Sequence, residues 1–263
     1  MKIALMDSGI GLLAAAAAVR RLRPDADLVL SSDPDGMPWG PRTPADLTER
    51  ALAVARAAAA HRPDALIVAC NTASVHALPT LRAELEFAIP VIGTVPAIKP
   101  AAAAGGRVAI WATPATTGSP YQRGLIRDFA AGARVTEVPC PGLADAVEAA
   151  DDAAVVAAVA AAAALTPADV TDVVLGCTHY ELVEASIRAA LAVRTGGAEL
   201  VFHGSAEPVA LQALRRFGAG PAPDLPRTGG MTVLLSGRPG VLPPAALGYA
   251  EGRLLAGEGV VVG

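Results

Sequence analysis

Two short stretches carry residue types suited to moving a proton. Asp172-Val173-Val174-Leu175-Gly176-Cys177-Thr178-His179-Tyr180 is an apolar run of strand formers ending in a thiol, then a hydroxyl, an imidazole and a helical pattern. Asp64-Ala65-Leu66-Ile67-Val68-Ala69-Cys70-Asn71-Thr72-Ala73 repeats the arrangement earlier in the chain. In an open α/β sheet such a cysteine stands at the carboxyl end of a strand and the amino end of a helix. Ligands bind there, and the helix end favours an anion. The same position lowers a thiol pKa below its free value of about 8.5. His179 follows closely enough to act as a proton partner. Asp7 ends the first strand and is expected beside the end of the third, and so near Cys70.

One cysteine with a nearby histidine would suit a nucleophilic hydrolase. Two matching thiols suit another task. Racemisation by two bases needs one group to remove a Cα proton and a second, on the opposite face, to return one. Like groups with pKa values near the working pH serve both directions. The developing carbanion needs donors aimed at the substrate carboxylate. Ser8, Asn71, Thr72, Thr113, Thr116 and Thr178, with backbone amides at helix starts, can supply them. A competing pattern is Gly9-x-Gly11-x-x-Ala14 after a strand, with Asp33 at the end of the second strand, which fits a dinucleotide-binding oxidoreductase. Asp7-Ser8 count against it, because they would set a carboxylate beside a pyrophosphate. A third reading is a catalytically silent binding member of the fold. Cys140, between Pro139 and Pro141, reads as a small core residue.

The elements that must position these groups alternate. The pattern predicts strands at 2–6, 27–31, 65–69 and 91–93, with helices at 12–22, 43–61 and 72–87. A second round has strands at 107–111, 135–138, 173–175 and 200–202, with helices at 120–129, 142–164 and 180–192. A tail adds a helix at 207–217, a strand at 233–235 and a helix at 245–255. Strands alternating with helices imply parallel sheets. The repeat is too long for a solenoid and indicates two similar open α/β domains, with the active site in the cleft between them. The expected division is 1–94 plus 207–263 and 95–206. The stretch 33–41, rich in Pro and Gly with Trp39 in it, is too irregular for an element and long enough to be functional. Asp33 and Asp35 also suit turns, Asp151-Asp152 a solvated face, and Lys99 a helix-end cation.

The chain has 263 residues, 53% of them hydrophobic and 3% aromatic, with a formal net charge of −4. That charge offers no general attraction to nucleic acid or an anionic membrane. No apolar run approaches the roughly 20 residues of a membrane span, and no leader is expected, so the reading is a soluble cytoplasmic protein. Three cysteines without a Cys-x-x-Cys spacing make a disulfide framework unexpected. Four scattered histidines give no metal signature. Only Lys2 and Lys99 are lysines, and neither has the setting of a pyridoxal Schiff base.

These residues resemble the cofactor-independent glutamate racemases of the aspartate/glutamate racemase superfamily. Asp7-Ser8-Gly9-Ile10-Gly11, Pro38-Trp39-Gly40, Ala69-Cys70-Asn71-Thr72-Ala73-Ser74, Val95-Pro96-Ala97-Ile98-Lys99-Pro100, Ala112-Thr113-x-x-Thr116, Gly142-Leu143 with Val147-Glu148, and Leu175-Gly176-Cys177-Thr178-His179-Tyr180 are each similar to a family segment. The resemblance implies catalytic thiols at Cys70 and Cys177, assisted by Asp7, His179 and Glu148. It implies substrate contacts from Asp7, Ser8, Pro38, Trp39, Gly40, Asn71, Thr72, Thr113, Thr116, Thr178 and His179. It also implies an amino-acid substrate, no cofactor, D-glutamate supply to peptidoglycan, and a homodimer. Leu12 stands where the family has a second glycine, Trp39 where it has Tyr, and Glu181 where proline is common. Another acidic substrate of the same superfamily, such as aspartate, is the alternative.

Overall fold

The computed structural model describes residues 1–103 and 105–257. The expected tail continues to 263, and its last six residues lie outside the described ones. Two compact units are present, one of Met1–Thr94 with Ala206–Gly263 and one of Val95–Ser205.

The first unit contains β1 (Lys2–Asp7), α1 (Leu12–Leu22), β2 (Asp27–Ser32), α2 (Pro44–Ala59), β3 (Ala65–Val68), α3 (Asn71–His76), α4 (Leu78–Leu85) and β4 (Val91–Gly93). The second contains α5 (Ile98–Ala102), β5 (Arg107–Ala112), α6 (Pro120–Phe129), β6 (Arg134–Pro139), α7 (Leu143–Glu148), α8 (Asp152–Leu165), β7 (Asp172–Leu175), α9 (Thr178–Glu181), α10 (Glu184–Arg194) and β8 (Val201–His203). The chain then returns to the first unit with α11 (Ala206–Arg216), β9 (Met231–Leu235), β10 (Arg238–Gly240), a 3-10 turn (Pro244–Gly248) and α12 (Ala250–Ala256).

The first sheet runs β10-β9-β2-β1-β3-β4 and the second β6-β5-β7-β8. All neighbours are parallel except β10 against β9. Each unit therefore contains the same order, with its second strand on one side of its first and its third on the other. The strand order reverses between β1 and β3, and again between β5 and β7. The carboxyl ends at such reversals form the crevice where open α/β sheets bind ligands. Asp7 and Cys70 stand at the first crevice, Thr113 and Cys177 at the second. β1 and β3 are buried on both faces, which accounts for their unbroken apolar runs. Arg20, buried beneath the tail, donates to the carbonyls of Ala26 (2.8 Å) and Gly230 (2.9 Å), tying the start of β9 to α1.

Four expected helices are each broken in two. The 72–87 helix stops at His76 and restarts at Leu78, where Pro79 occupies the first turn; a proline there marks a start rather than an interior. The 142–164 helix ends at Glu148. Ala150 then takes a left-handed φ of 50°, and the Asp151 side chain accepts from Ala154 N–H at 3.0 Å as the cap of α8. Asp151 is thus a helix cap, not merely part of a solvated face. The 180–192 helix divides after Glu181, and the 245–255 helix begins as a 3-10 turn. Each short helix that follows a cysteine is accordingly six or four residues long. Such a helix offers its first-turn amides at the turn rather than the dipole of a long helix.

Candidate active site

In the first unit, Met6 pairs with Val68, and Ala69 N–H donates to Met6 O at 2.8 Å. That register carries Asp7 alongside Ala69 and places it next to the Cys70 turn. Asp7 is fully buried, and its Oδ1 accepts from Ser8 N–H at 2.7 Å. Cys70 caps α3 with an extended backbone. Asn71, the first residue of that helix, is 7% exposed, yet neither its amide nitrogen nor its amide oxygen has a hydrogen-bond partner. Leaving such a group unpaired costs about 1–3 kcal/mol, which makes the Asn71 amide, beside the thiol, a candidate donor and acceptor for a ligand. Thr72 follows, half-buried.

The Pro38-Trp39-Gly40 loop belongs to the same unit. Pro38 is exposed and Gly40 half-buried, whereas Trp39 is 1% exposed. The indole N–H of Trp39 donates to Asp33 Oδ2 at 3.0 Å. Asp33 also accepts from Arg50 at 3.2 Å and, through Oδ1, from Ser236 Oγ at 3.0 Å. A β-carbon on Gly36 would lie 1.9 Å from Asp33 Oδ2, so the loop closes tightly over this carboxylate. Asp33 is therefore committed to fastening the loop, which removes it as a ribose-binding acid. Asp35 pairs with Arg238 at 2.7 Å on the surface.

In the second unit, Gly176 N–H donates to Trp111 O at 2.8 Å, and a β-carbon at Gly176 would stand 2.7 Å from that oxygen. Glycine is required for the chain to pass β5 so closely before the thiol. Cys177 caps α9, and its Sγ lies 3.8 Å from His179 Nδ1. The other ring nitrogen, Nε2, is 2.8 Å from Glu148 Oε2. Both side chains are largely buried, at 9% and 18% exposure. The thiol, imidazole and carboxylate thus form a chain in which Glu148 orients the ring toward the sulfur. The break between α7 and α8 leaves Glu148 at a helix end with its carboxylate on the imidazole. Thr178 is buried. Thr113 and Thr116 are half-buried and joined hydroxyl to hydroxyl at 3.3 Å on the turn after β5.

Tyr180 and Gln122 carry no role in the sequence reading, whereas Cys140, which reads there as a small core residue, is buried at 1% exposure. Tyr180 is fully buried, and its hydroxyl donates to Cys140 O at 3.3 Å. Burial pushes its phenol well above the usual range. Burial likewise pushes the Cys140 thiol up to about 12, with the neighbouring Cys177 adding to the shift. Gln122, in the first turn of α6, is 1% exposed with both amide atoms unpartnered. Its place one turn before Leu125 and Ile126, on the face packed into the core, was the available signal. Lys99 lies 6.0 Å from the Phe129 ring centroid, as a surface cation. None of the three cysteines forms a disulfide. Among the described residues, no helix is long and apolar enough to cross a membrane.

Residues 11–201 match the Asp/Glu/hydantoin racemase family. The chain is 40% identical over 192 residues to the glutamate racemase of Roseiflexus sp., covering 71% of this chain and 70% of that protein. It is 37% identical over 213 residues to the glutamate racemase of Vibrio campbellii, covering 80% and 77%. Among solved structures, Escherichia coli glutamate racemase in complex with L-glutamate and the activator UDP-MurNAc-ala superposes with a TM-score of 0.80 at 27% identity. That match covers 98% of this chain and 95% of the other.

Proposed function

The chain belongs to the Asp/Glu/hydantoin racemase family and is an amino-acid racemase; from that premise, we propose that it interconverts L- and D-glutamate through Cys70 and Cys177. The observation that carries this reading is the repeated turn, a cysteine placed at the strand-order reversal of each unit. Chemistry that needs one nucleophile gives no reason for the second.

In the proposed reaction, a thiolate takes the Cα proton of one enantiomer, and the other thiol returns a proton to the opposite face. The two exchange roles in the reverse direction. Glu148 and His179 support Cys177, with His179 moving its proton at Nδ1. Asp7 assists Cys70 in the corresponding place. The substrate carboxylate and ammonium draw on Asn71, Thr72 and Ser8 in the first unit, and on Thr113, Thr116 and Thr178 in the second. Donors fixed before the substrate arrives stabilise the developing carbanion without reorganising at the moment of transfer. Pro38 and Gly40 contribute the surface of the loop, while Trp39 fastens it. The proposal extends to a cytoplasmic homodimer that supplies D-glutamate for peptidoglycan and uses no cofactor.

Proton NMR in deuterated buffer, without added cofactor, tests the substrate. Loss of the Cα proton signal from L- and D-glutamate, with interconversion, is expected. Exchange confined to aspartate would retain the thiols and reassign the substrate. No exchange in either would contradict the reading.

A further inference from the structure

The chain crosses between its units at Thr94–Val95 and at Ser205–Ala206. At each crossing, the residue that closes the unit is hydrogen-bonded to the short helix following that unit's cysteine. Ser205 is 5% exposed and donates twice to one oxygen of Glu181, through its N–H at 2.8 Å and its Oγ–H at 2.7 Å. Glu181 is the last residue of α9, one helical turn after Cys177. Thr94 is 1% exposed; its N–H donates to Ser74 Oγ at 2.8 Å, and its hydroxyl donates to Val68 O at 2.8 Å. Ser74 stands at the same offset from Cys70, and its own N–H takes the Cys70 carbonyl at 2.9 Å. Its hydroxyl donates onward to Val68 O at 3.3 Å.

We infer that Glu181 is a positioning residue: by holding Ser205 it fixes α9, and with it Cys177 and His179, as Ser74 and Thr94 fix Cys70. The inference rests on the two-thiol reading above. Several observations set Glu181 apart from an ordinary first-turn acid. Its half-buried carboxylate is turned onto a buried serine. Both donors converge on the same oxygen, and bonds to an ionised acceptor are roughly twice as strong as neutral ones. The carboxylate also lies against the Cα of Gly204, where a β-carbon would stand 2.6 Å from Glu181 Oε2. Finally, α9 is only four residues long and ends at a break, so it lacks a helix body to hold it in line. The side chain at its last position adds an anchor at the helix end to those that His179 and Tyr180 make with Glu148 and the Cys140 carbonyl.

The test uses the full chain and glutamate of both configurations, with protium or deuterium at Cα. The variants are Glu181→Ala, Glu181→Gln, Gly204→Ala and Ser74→Ala. Glu181→Ala is expected to lower kcat by about tenfold with KM within about twofold, since small misplacement of a reacting group costs this much or more. The slower Cys177 step then separates the two isotope effects. The effect on kcat/KM rises for the enantiomer that Cys177 deprotonates, identified as the one still exchanged by Cys70→Ala, and falls toward unity for the other. Glu181→Gln keeps an acceptor oxygen and restores most of the rate. Gly204→Ala displaces the carboxylate with Glu181 and Ser205 intact and reproduces the pattern. Ser74→Ala, its counterpart in the first unit, gives the shift with the enantiomers exchanged. Unchanged isotope effects in folded Glu181→Ala and Gly204→Ala overturn the inference, as do effects that move the same way for both enantiomers. Failure of the two-thiol reading would instead appear in the unmodified chain, as an absence of racemisation.

Discussion

Cys70 and Cys177 follow equivalent strands in sheets of the same order, yet the polar groups around them are partnered unequally. Beside Cys177, the imidazole of His179 already has Glu148, the Tyr180 hydroxyl has the Cys140 carbonyl, and Glu181 has Ser205. Beside Cys70, the Asn71 amide meets no partner on either atom, although the residue is buried. The turns differ in backbone as well. Ala69 fits before Cys70, whereas only glycine fits before Cys177 at the close approach to Trp111. On the proposed two-thiol reading, the groups beside Cys177 are set for proton transfer, and the Asn71 amide beside Cys70 is held for a ligand.

The largest effect expected from breaking this comparison comes at the thiols. Cys70→Ala and Cys177→Ala should each reduce racemisation by about 10³-fold or more, the upper part of the range for a lost acid–base group, as measured by circular dichroism of the glutamate pool. Each should retain exchange of one enantiomer, and not the same one. Next come the supports. Glu148→Gln removes the charge that orients His179 and should lower kcat by about 10- to 100-fold with little change in KM, read from initial rates in both directions. Asn71→Ala should do the opposite. It should raise KM by about tenfold or more, as expected for a lost hydrogen bond to a charged substrate, and leave thermal stability unchanged or slightly higher because an unmet polar group is removed. Equal effects of the two substitutions on kcat and KM would erase the proposed division of labour.

The smallest effect concerns the third cysteine, present only in the second unit. Burial pushes the Cys140 thiol up to about 12 in the folded chain, whereas a free thiol ionises at about 8.5. Well below the free value it is neutral in both states and adds no pH dependence. Between those values the unfolded chain holds fewer protons, so stability falls as pH rises, by at most about 1.4 kcal/mol per unit. Denaturant titrations across that window should show a shallower fall for Cys140→Ala, with racemisation at neutral pH unchanged.

Much of this was legible in the sequence because strong periodicities carried it. The buried strands announce themselves as unbroken apolar runs, and a cysteine at the end of such a run is placed by the sheet itself. The helix breaks were harder to see. Alanine has the best helix propensity and dominates 142–164, so little there except Asp151 marks the interruption that leaves Glu148 at a helix end. Pro79 did carry a signal for the break after His76. The fate of Asp33 was hidden for another reason. Its partners, Trp39, Arg50 and Ser236, come from a loop, a helix and the returning tail, and only the folded first unit brings them to one carboxylate. Long-range polar pairs such as Glu181 with Ser205 likewise leave no periodic trace.

The most direct test of two thiols acting on one carbon follows the first turnovers of each protiated enantiomer in deuterium oxide, with NMR and mass analysis of both glutamate pools. Two bases predict that the product enantiomer is deuterated at Cα from the outset while the remaining substrate keeps its protium. A product that retains the original protium would mean that one group both removes and returns the proton, and would contradict the account.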